Sequence, residues 1–164
     1  MQVLKIITFI VLLFPIIGIA NINFSADSLI LEFPSTIIAS GNTKFKEKDI
    51  DILANRFSYD TQTMSGTFER NVIIHYRNST LQGNSFSLDI ENKSILGNGN
   101  IVFITPDIKA YSDYLIIEDY EVLKLKKNVL VERNGSQIKT NELMYNLKTD
   151  TILSNERVKL IIED

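Results

Sequence analysis

Five times the chain places a small residue before Asp or Asn and follows it with apolar residues in alternation: "FSADSLILE", "LANRFSYD", "LQGNSFSLD", "AYSDYLIIED" and "KTNELMYN". The anchors are Asp27, Asn55, Asn84, Asp113 and Asn141, spaced 28, 29, 29 and 28 residues apart. A second ladder runs between them through "GNTKF", "RNVIIHY", "GNIVFI", "KNVLVE" and "ERVKLII". Its anchors are Asn42, Asn71, Asn100, Asn128 and Arg157, at spacings of 29, 29, 28 and 29. Two ladders in step make tandem repeats the organising principle of everything after residue 20.

The period within each repeat is that of a strand. Two and four residues after the first anchor stand Leu29 and Leu31, Phe57 and Tyr59, Phe86 and Leu88, Leu115 and Ile117, Leu143 and Tyr145, all apolar or aromatic. One and three residues after the second anchor the same alternation holds in Val72 and Ile74, Ile101 and Phe103, Val129 and Val131, Val158 and Leu160. Thr43 before Phe45 is the one departure. No sustained 3.6-residue pattern follows residue 20, so the fold expected is all-β. Ahead of the first anchor the apolar positions are at −3 and −1; behind it they are at +2 and +4. That is a slip of one residue in phase. A bulge or corner produces such a slip, and a short side chain able to bond backbone tolerates it. The strands are therefore expected to bend at Asp27, Asn55, Asn84, Asp113 and Asn141. Glu32, Asp60, Asp89, Glu118 and Asn146 then open turns, and "RNGS" (133–136) carries the Asn-Gly of a tight hairpin. Each repeat reads as roughly three short strands, about fifteen in all, which suits a long folded-over antiparallel sheet better than a compact barrel.

Composition narrows the function. The net charge of −3 lacks the basic stripe that nucleic acid requires. Without Cys, neither a disulfide framework nor a thiolate metal site is possible. The single His, His75, alternates with Ile74 and Tyr76 and is expected to face outward, with no partners to make a triad or a zinc site. The pairs Glu118-Asp119 and Glu163-Asp164 fall at a turn and at the terminus, where solvation accounts for them. A parallel β-helix lyase or hydrolase also stacks repeats, but no strand face here gathers the Asp residues it would need. No catalytic residue, metal or cofactor is expected. Asn78, Asn92 and Asn134 fit Asn-x-Ser/Thr but read as turn residues.

The N-terminal "MQVLKIITFIVLLFPIIGIA" combines Lys5, an apolar run from Ile6 to Ile19 and small residues at Gly18 and Ala20. This is the pattern of an export signal cleaved after Ala20. Pro15 interrupts the run, which is shorter than the ~20 residues a spanning helix needs. Residues 1–20 are thus expected to be a signal peptide and 21–164 the β domain.

Together, the signal, the "ADSLILEF" opening and the recurring "A(D/N)…Y(D/N)" and "GN-V" phrases resemble the LptA/OstA family of lipopolysaccharide-transport proteins, over residues 24–164. The "GN" pair is intact at Gly41-Asn42 and Gly99-Asn100 and replaced at Arg70-Asn71, Lys127-Asn128 and Glu156-Arg157. The resemblance implies a twisted, OstA-like β-jellyroll whose apolar groove shields lipid A acyl chains while lipopolysaccharide crosses the periplasm. On this basis Phe45, Phe57, Ile74, Phe86, Phe103, Leu115, Val131 and Leu143 line the groove. The partners implied are lipopolysaccharide, an inner-membrane LptC-like protein and an outer-membrane LptD-like translocon. The inward pattern persists in the outermost strands without polar caps. Head-to-tail self-association is therefore expected through Leu29, Leu31, Val158, Leu160 and Ile162. Two alternatives remain: an anchored LptC-like component that retains the N-terminal segment, and a structural β-repeat protein with a solid core. A third, the periplasmic part of the translocon, lacks the long barrel that would follow.

Overall fold

The computed structural model describes residues 23–153 and 159–162. The expected signal segment and Val158 lie outside these residues, and of 159–162 only the backbone is described. Twelve strands form one antiparallel sheet in which the long strands follow sequence order. The eight long strands are β3 (Thr36–Glu47), β4 (Ile50–Asp60), β5 (Ser65–Tyr76), β6 (Ser79–Asp89), β7 (Ser94–Ile104), β8 (Lys109–Glu118), β9 (Val122–Arg133) and β10 (Ser136–Asn146). Each end of the sheet is completed by a strand in two pieces. β1 (Asn23–Ser25) and β2 (Ser28–Glu32) lie along β3; β11 (Thr151–Leu153) and β12 (Lys159–Ile162) lie along β10.

One repeat is thus two long strands, not three short ones. The breaks that sequence reading places between strands are creases within them. Every ladder between neighbouring long strands shifts register once, always at the anchors. Gly41-Asn42 stands opposite Asn55, Arg70-Asn71 opposite Asn55 and Asn84, Gly99-Asn100 opposite Asn84 and Asp113, and Lys127-Asn128 opposite Asp113 and Asn141. Two residues oppose one each time, which is a β-bulge, and the bulges line up from strand to strand into a single seam across the sheet. Both ladders of the sequence are this one seam.

The backbone geometry of the seam belongs to the second ladder. Gly41 (φ 74°) and Asn42 (43°), Arg70 (65°) and Asn71 (54°), Gly99 (78°) and Asn100 (52°), Lys127 (61°) and Asn128 (52°) all adopt left-handed conformations. Gly and Asn reach that region most cheaply, which explains the "GN" phrase. The first-ladder residues reach across to the neighbouring strand. Asn42 Nδ2 donates to Asp27 Oδ2 (2.9 Å) and Asn128 Nδ2 to Asp113 Oδ2 (2.7 Å), while the Asp27 backbone N–H donates to Gly41 O (2.9 Å).

Folding along the seam brings two layers face to face. One contains 36–40, 56–60, 65–69, 85–89, 94–98, 114–118, 122–126 and 142–146; the other contains 43–47, 50–54, 72–76, 79–83, 101–104, 109–112, 129–133 and 136–140. Alternation sends every second side chain of each layer into the space between them, and these residues form one continuous apolar cluster. The predicted change of phase is visible in burial: Ile52 and Ala54 before the seam in β4, Phe57 and Tyr59 after it. Turns close the rim opposite the seam. Asp60 Oδ1 accepts from the N–H of Gln62 and Thr63, Asp89 Oδ1 from Asn92, and Asn146 Oδ1 from Lys148 and Thr149, as expected of turn openers. Asn134 (φ 49°) and Gly135 (φ 80°) make the tight β9–β10 hairpin. Along the first layer, successive turns are bonded to one another: Thr61 N to Ser35 O, Ile90 N to Met64 O, Tyr120 N to Lys93 O and Leu147 N to Glu121 O.

Candidate functional site

The eight expected lining residues fall on the inner faces of both layers and are at most 2% exposed. Phe57, Phe86, Leu115 and Leu143 come from β4, β6, β8 and β10 in the first layer. Phe45, Ile74, Phe103 and Val131 face them from β3, β5, β7 and β9. Since each residue repeats at the same place in its strand, the lining runs across the strands. At the ~4.8 Å spacing of neighbouring strands, β3 to β10 carry it over about 35 Å.

The two walls touch. Across the layers Phe45 meets Phe57 with ring centroids 5.6 Å apart, and Phe103 meets Tyr145 edge-on at 5.1 Å. Phe57 stacks on Phe68 at 4.7 Å, and Phe45 also packs edge-on against Phe68 at 5.5 Å. The β1–β5 end is therefore aromatic, whereas Leu115, Ile117, Leu123, Leu125, Val129 and Val131 make the stretch across β8 and β9 aliphatic. Phe68, Leu123 and Leu125 lie before the second anchor, in strand halves where sequence reading did not look for lining residues. Their signal was present in the alternation of "GTFERN" and "VLKLKKN".

Polar groups gather at the rim. Glu47 continues the inward row of Thr43 and Phe45 on β3 and is 2% exposed, so the inner face carries a charged type just beyond the positions read as lining. Burial pushes its carboxyl above the usual carboxylate range, with Lys48 opposing. Tyr76 Oη donates to Tyr120 O (2.8 Å), tying the β5–β6 turn of one layer to the β8–β9 turn of the other. Burial raises the pKa of Tyr59, Tyr76, Tyr120 and Tyr145, keeping these phenols protonated. His75 is exposed and shares a hydrogen bond with Thr80 Oγ1 (3.1 Å). Among the described residues no group of three or more His, Asp or Glu is placed to hold a metal ion. What the arrangement offers chemically is a closed apolar interior between two layers, with a polar margin.

The family profile described as "LptA/(LptD N-terminal domain) LPS transport protein" matches residues 23–151, from β1 to the start of β11. The chain belongs to this lipopolysaccharide-transport family. The fold agrees with the LptA-like β-jellyroll. The crystal structure of LptH from Pseudomonas aeruginosa, described as the LptA-homologous periplasmic component of the conserved lipopolysaccharide transport device, superposes with a TM-score of 0.60 at 15% identity. The match covers 70% of this chain and 95% of that one. A comparison with curated proteins gives no match.

The end-to-end residues are placed less fully. Leu29 and Leu31 sit on β2, partly buried against the core. Leu160 and Ile162 lie on β12, whose backbone pairs with β10 in the register Ile138 to Leu160 and Ser136 to Ile162. Among the described strands, β2 and β12 each pair on one side only, at opposite ends of the sheet.

Proposed function

We propose that this member of the lipopolysaccharide-transport family is a periplasmic carrier that holds acyl chains between its two layers and passes lipopolysaccharide from inner to outer membrane. The observation that carries this reading is the continuous cluster of buried apolar side chains to which all eight long strands contribute, bordered by a seam on one side and by turns on the other. A lipid entering between the layers exchanges wall-to-wall contacts for wall-to-chain contacts. The net drive is then the lipid's own removal from water, ~0.8 kcal/mol per CH₂. Phe45, Phe57, Ile74, Phe86, Phe103, Leu115, Val131 and Leu143 would hold the chains without fixing which lipid is bound.

In this reading residues 1–20 direct export and are removed after Ala20. The one-sided strands β2 and β12, with Leu29, Leu31, Val158, Leu160 and Ile162, join head to tail with further copies. The same edges would meet an LptC-like protein at the inner membrane and an LptD-like translocon at the outer one. LptH, described as a periplasmic component of such a device, supports the location. An uncleaved N-terminus found in the membrane fraction would instead make the chain the anchored, LptC-like member.

The wall contacts favour one competing reading, a structural repeat protein whose interior is simply core. Purified protein mixed with lipopolysaccharide and passed through gel filtration separates the two. The carrier reading expects saturable co-elution, lost in Phe86→Glu because a charge in an apolar lining costs several kcal/mol. Absence of co-elution for the folded wild-type protein would support the solid core.

A further inference from the structure

The inward row at the rim of the second layer runs from Glu47 on β3 through Ile50 and Tyr76 to Ser79, each opposite the next in the ladders. Its hydroxyls are paired: Tyr76 Oη donates to Tyr120 O (2.8 Å) and Ser79 Oγ to Tyr76 O (2.7 Å). Glu47 differs. It is 2% exposed, and its Oε2 has no hydrogen-bond partner. The Lys48 ammonium stands 3.9 Å from the other oxygen, Oε1, but on a side chain that is 74% exposed, so solvent screens the attraction. The phenols of Tyr59 and Tyr120 feel the Glu47 charge, yet they stay protonated and bring no positive charge to it. Folded proteins pair nearly all buried polar atoms, and a buried carboxyl left half-paired favours any state that returns it to water. The backbone is also weakly held here. Among the described residues the β1 ladder is three residues long and stops at Lys46, so Glu47 is paired on the β4 side alone. Further along, the Tyr76–Tyr120 bond ties the two layers together.

We propose that Glu47 is a built-in release point, whose return to water makes the β3 end of the rim the place where the two layers part first. Closed, the carboxyl is held in apolar surroundings that resist its charge; open, it ionises in water, so neutral and alkaline pH favour the open form. The segment that moves is the rim half of β3 with the β3–β4 turn, and Phe45, two residues before Glu47, is the lining residue it carries outward. Phe57, packed on Phe45 at 5.6 Å, is thereby uncovered. The proposal rests on the carrier reading only for what the opening serves, the entry of an acyl chain at the aromatic end. The opening itself requires no lipid.

The chain has no Cys, so one introduced thiol reports on one place. Ala39→Cys puts it on the inner face of β3, opposite Phe57, and Ala110→Cys on the inner face of β8, opposite Phe103 and Val131; the alanines are 1% and 0% exposed. Each protein is reacted with N-ethylmaleimide at pH 8 without lipid, under conditions where the rate reports the open population. The thiol at position 39 should react faster than the one at position 110. Adding Glu47→Leu should slow position 39 roughly tenfold, the effect of relieving about one unpaired buried group, and leave position 110 unchanged. Glu47→Gln, which removes only the charge, should slow position 39 as well. Equal rates at the two positions, or a position 39 rate indifferent to both substitutions, overturns the release point. So does equal slowing at both positions, which marks a change in global stability alone. None of these outcomes touches the carrier reading, which stands or falls on co-elution with lipopolysaccharide. Lack of co-elution alongside the expected thiol rates would remove the carrier and leave the release point in place.

Discussion

At the scale of single residues, the seam shows why the repeat has the letters it has. Gly99 is left-handed at φ 78°, and a Cβ there would stand 2.8 Å from Asn84 Nδ2, whereas Lys127 holds the equivalent left-handed position at φ 61° with a full side chain. The Gly99→Ala substitution should therefore lower stability by about 1–2 kcal/mol, and Lys127→Gly should raise it by up to about 1 kcal/mol, both read from urea unfolding. Glu47 supplies a second, pH-dependent case. Its pKa in the folded protein is above the ordinary value of 4.5, so the folded chain keeps a proton that the unfolded chain loses. That contribution to stability is complete below pH 4.5 and is lost as pH rises through the elevated pKa. Asp60 and Asp89 have the opposite sign. Turn N–H groups hold their carboxyls below 3.8, and their contribution, present above 3.8, fades as pH falls through the lowered values. The Glu47→Gln variant should thus be more stable than wild type at pH 7 by on the order of 1 kcal/mol, with the advantage gone at pH 4. An unchanged difference at both pH values would exclude Glu47 ionisation as its source.

At the scale of strands, the sequence revealed the crease but miscounted what it creases. A phase slip looks the same along a single chain whether it separates two strands or bends one; only the neighbour's register, two residues against one at each anchor, decides. Hence Asn55 and Asn84 were placed correctly as bends, while their strands were read as shorter than the 11 residues of β4 and β6. The lining was legible wherever alternation follows an anchor, as at Phe86 and Val131. It was missed at Phe68, Leu123 and Leu125, which precede one. Nor could alternation tell a slot from a core, because both require the same dry face. The aromatic cluster makes the β3–β5 end the more sensitive to truncation: Phe57→Ala removes contacts with Phe45 and Phe68 and should cost about 3–5 kcal/mol. Denaturant unfolding of this variant checks the figure.

At the scale of the molecule, the long strands pair only with their sequence neighbours, so the domain is close to a one-dimensional array. Removing residues 157–164 should leave the sheet from β1 to β10 folded, with an unchanged β-type circular dichroism spectrum, while abolishing end-to-end association. Sedimentation over a concentration series should then show association for the full-length protein and monomers for the truncated one. The larger claim is that the two layers part to admit acyl chains. It is tested most directly by placing a photo-crosslinking amino acid at Phe57, Phe86, Leu115 and Leu143 in turn, and at their outward neighbours Ser58, Ser87 and Ile116. After irradiation with lipopolysaccharide, adducts are predicted at the four inward positions and not at the outward ones. Folded variants that yield no inward adduct, or label equally on both faces, would contradict the account.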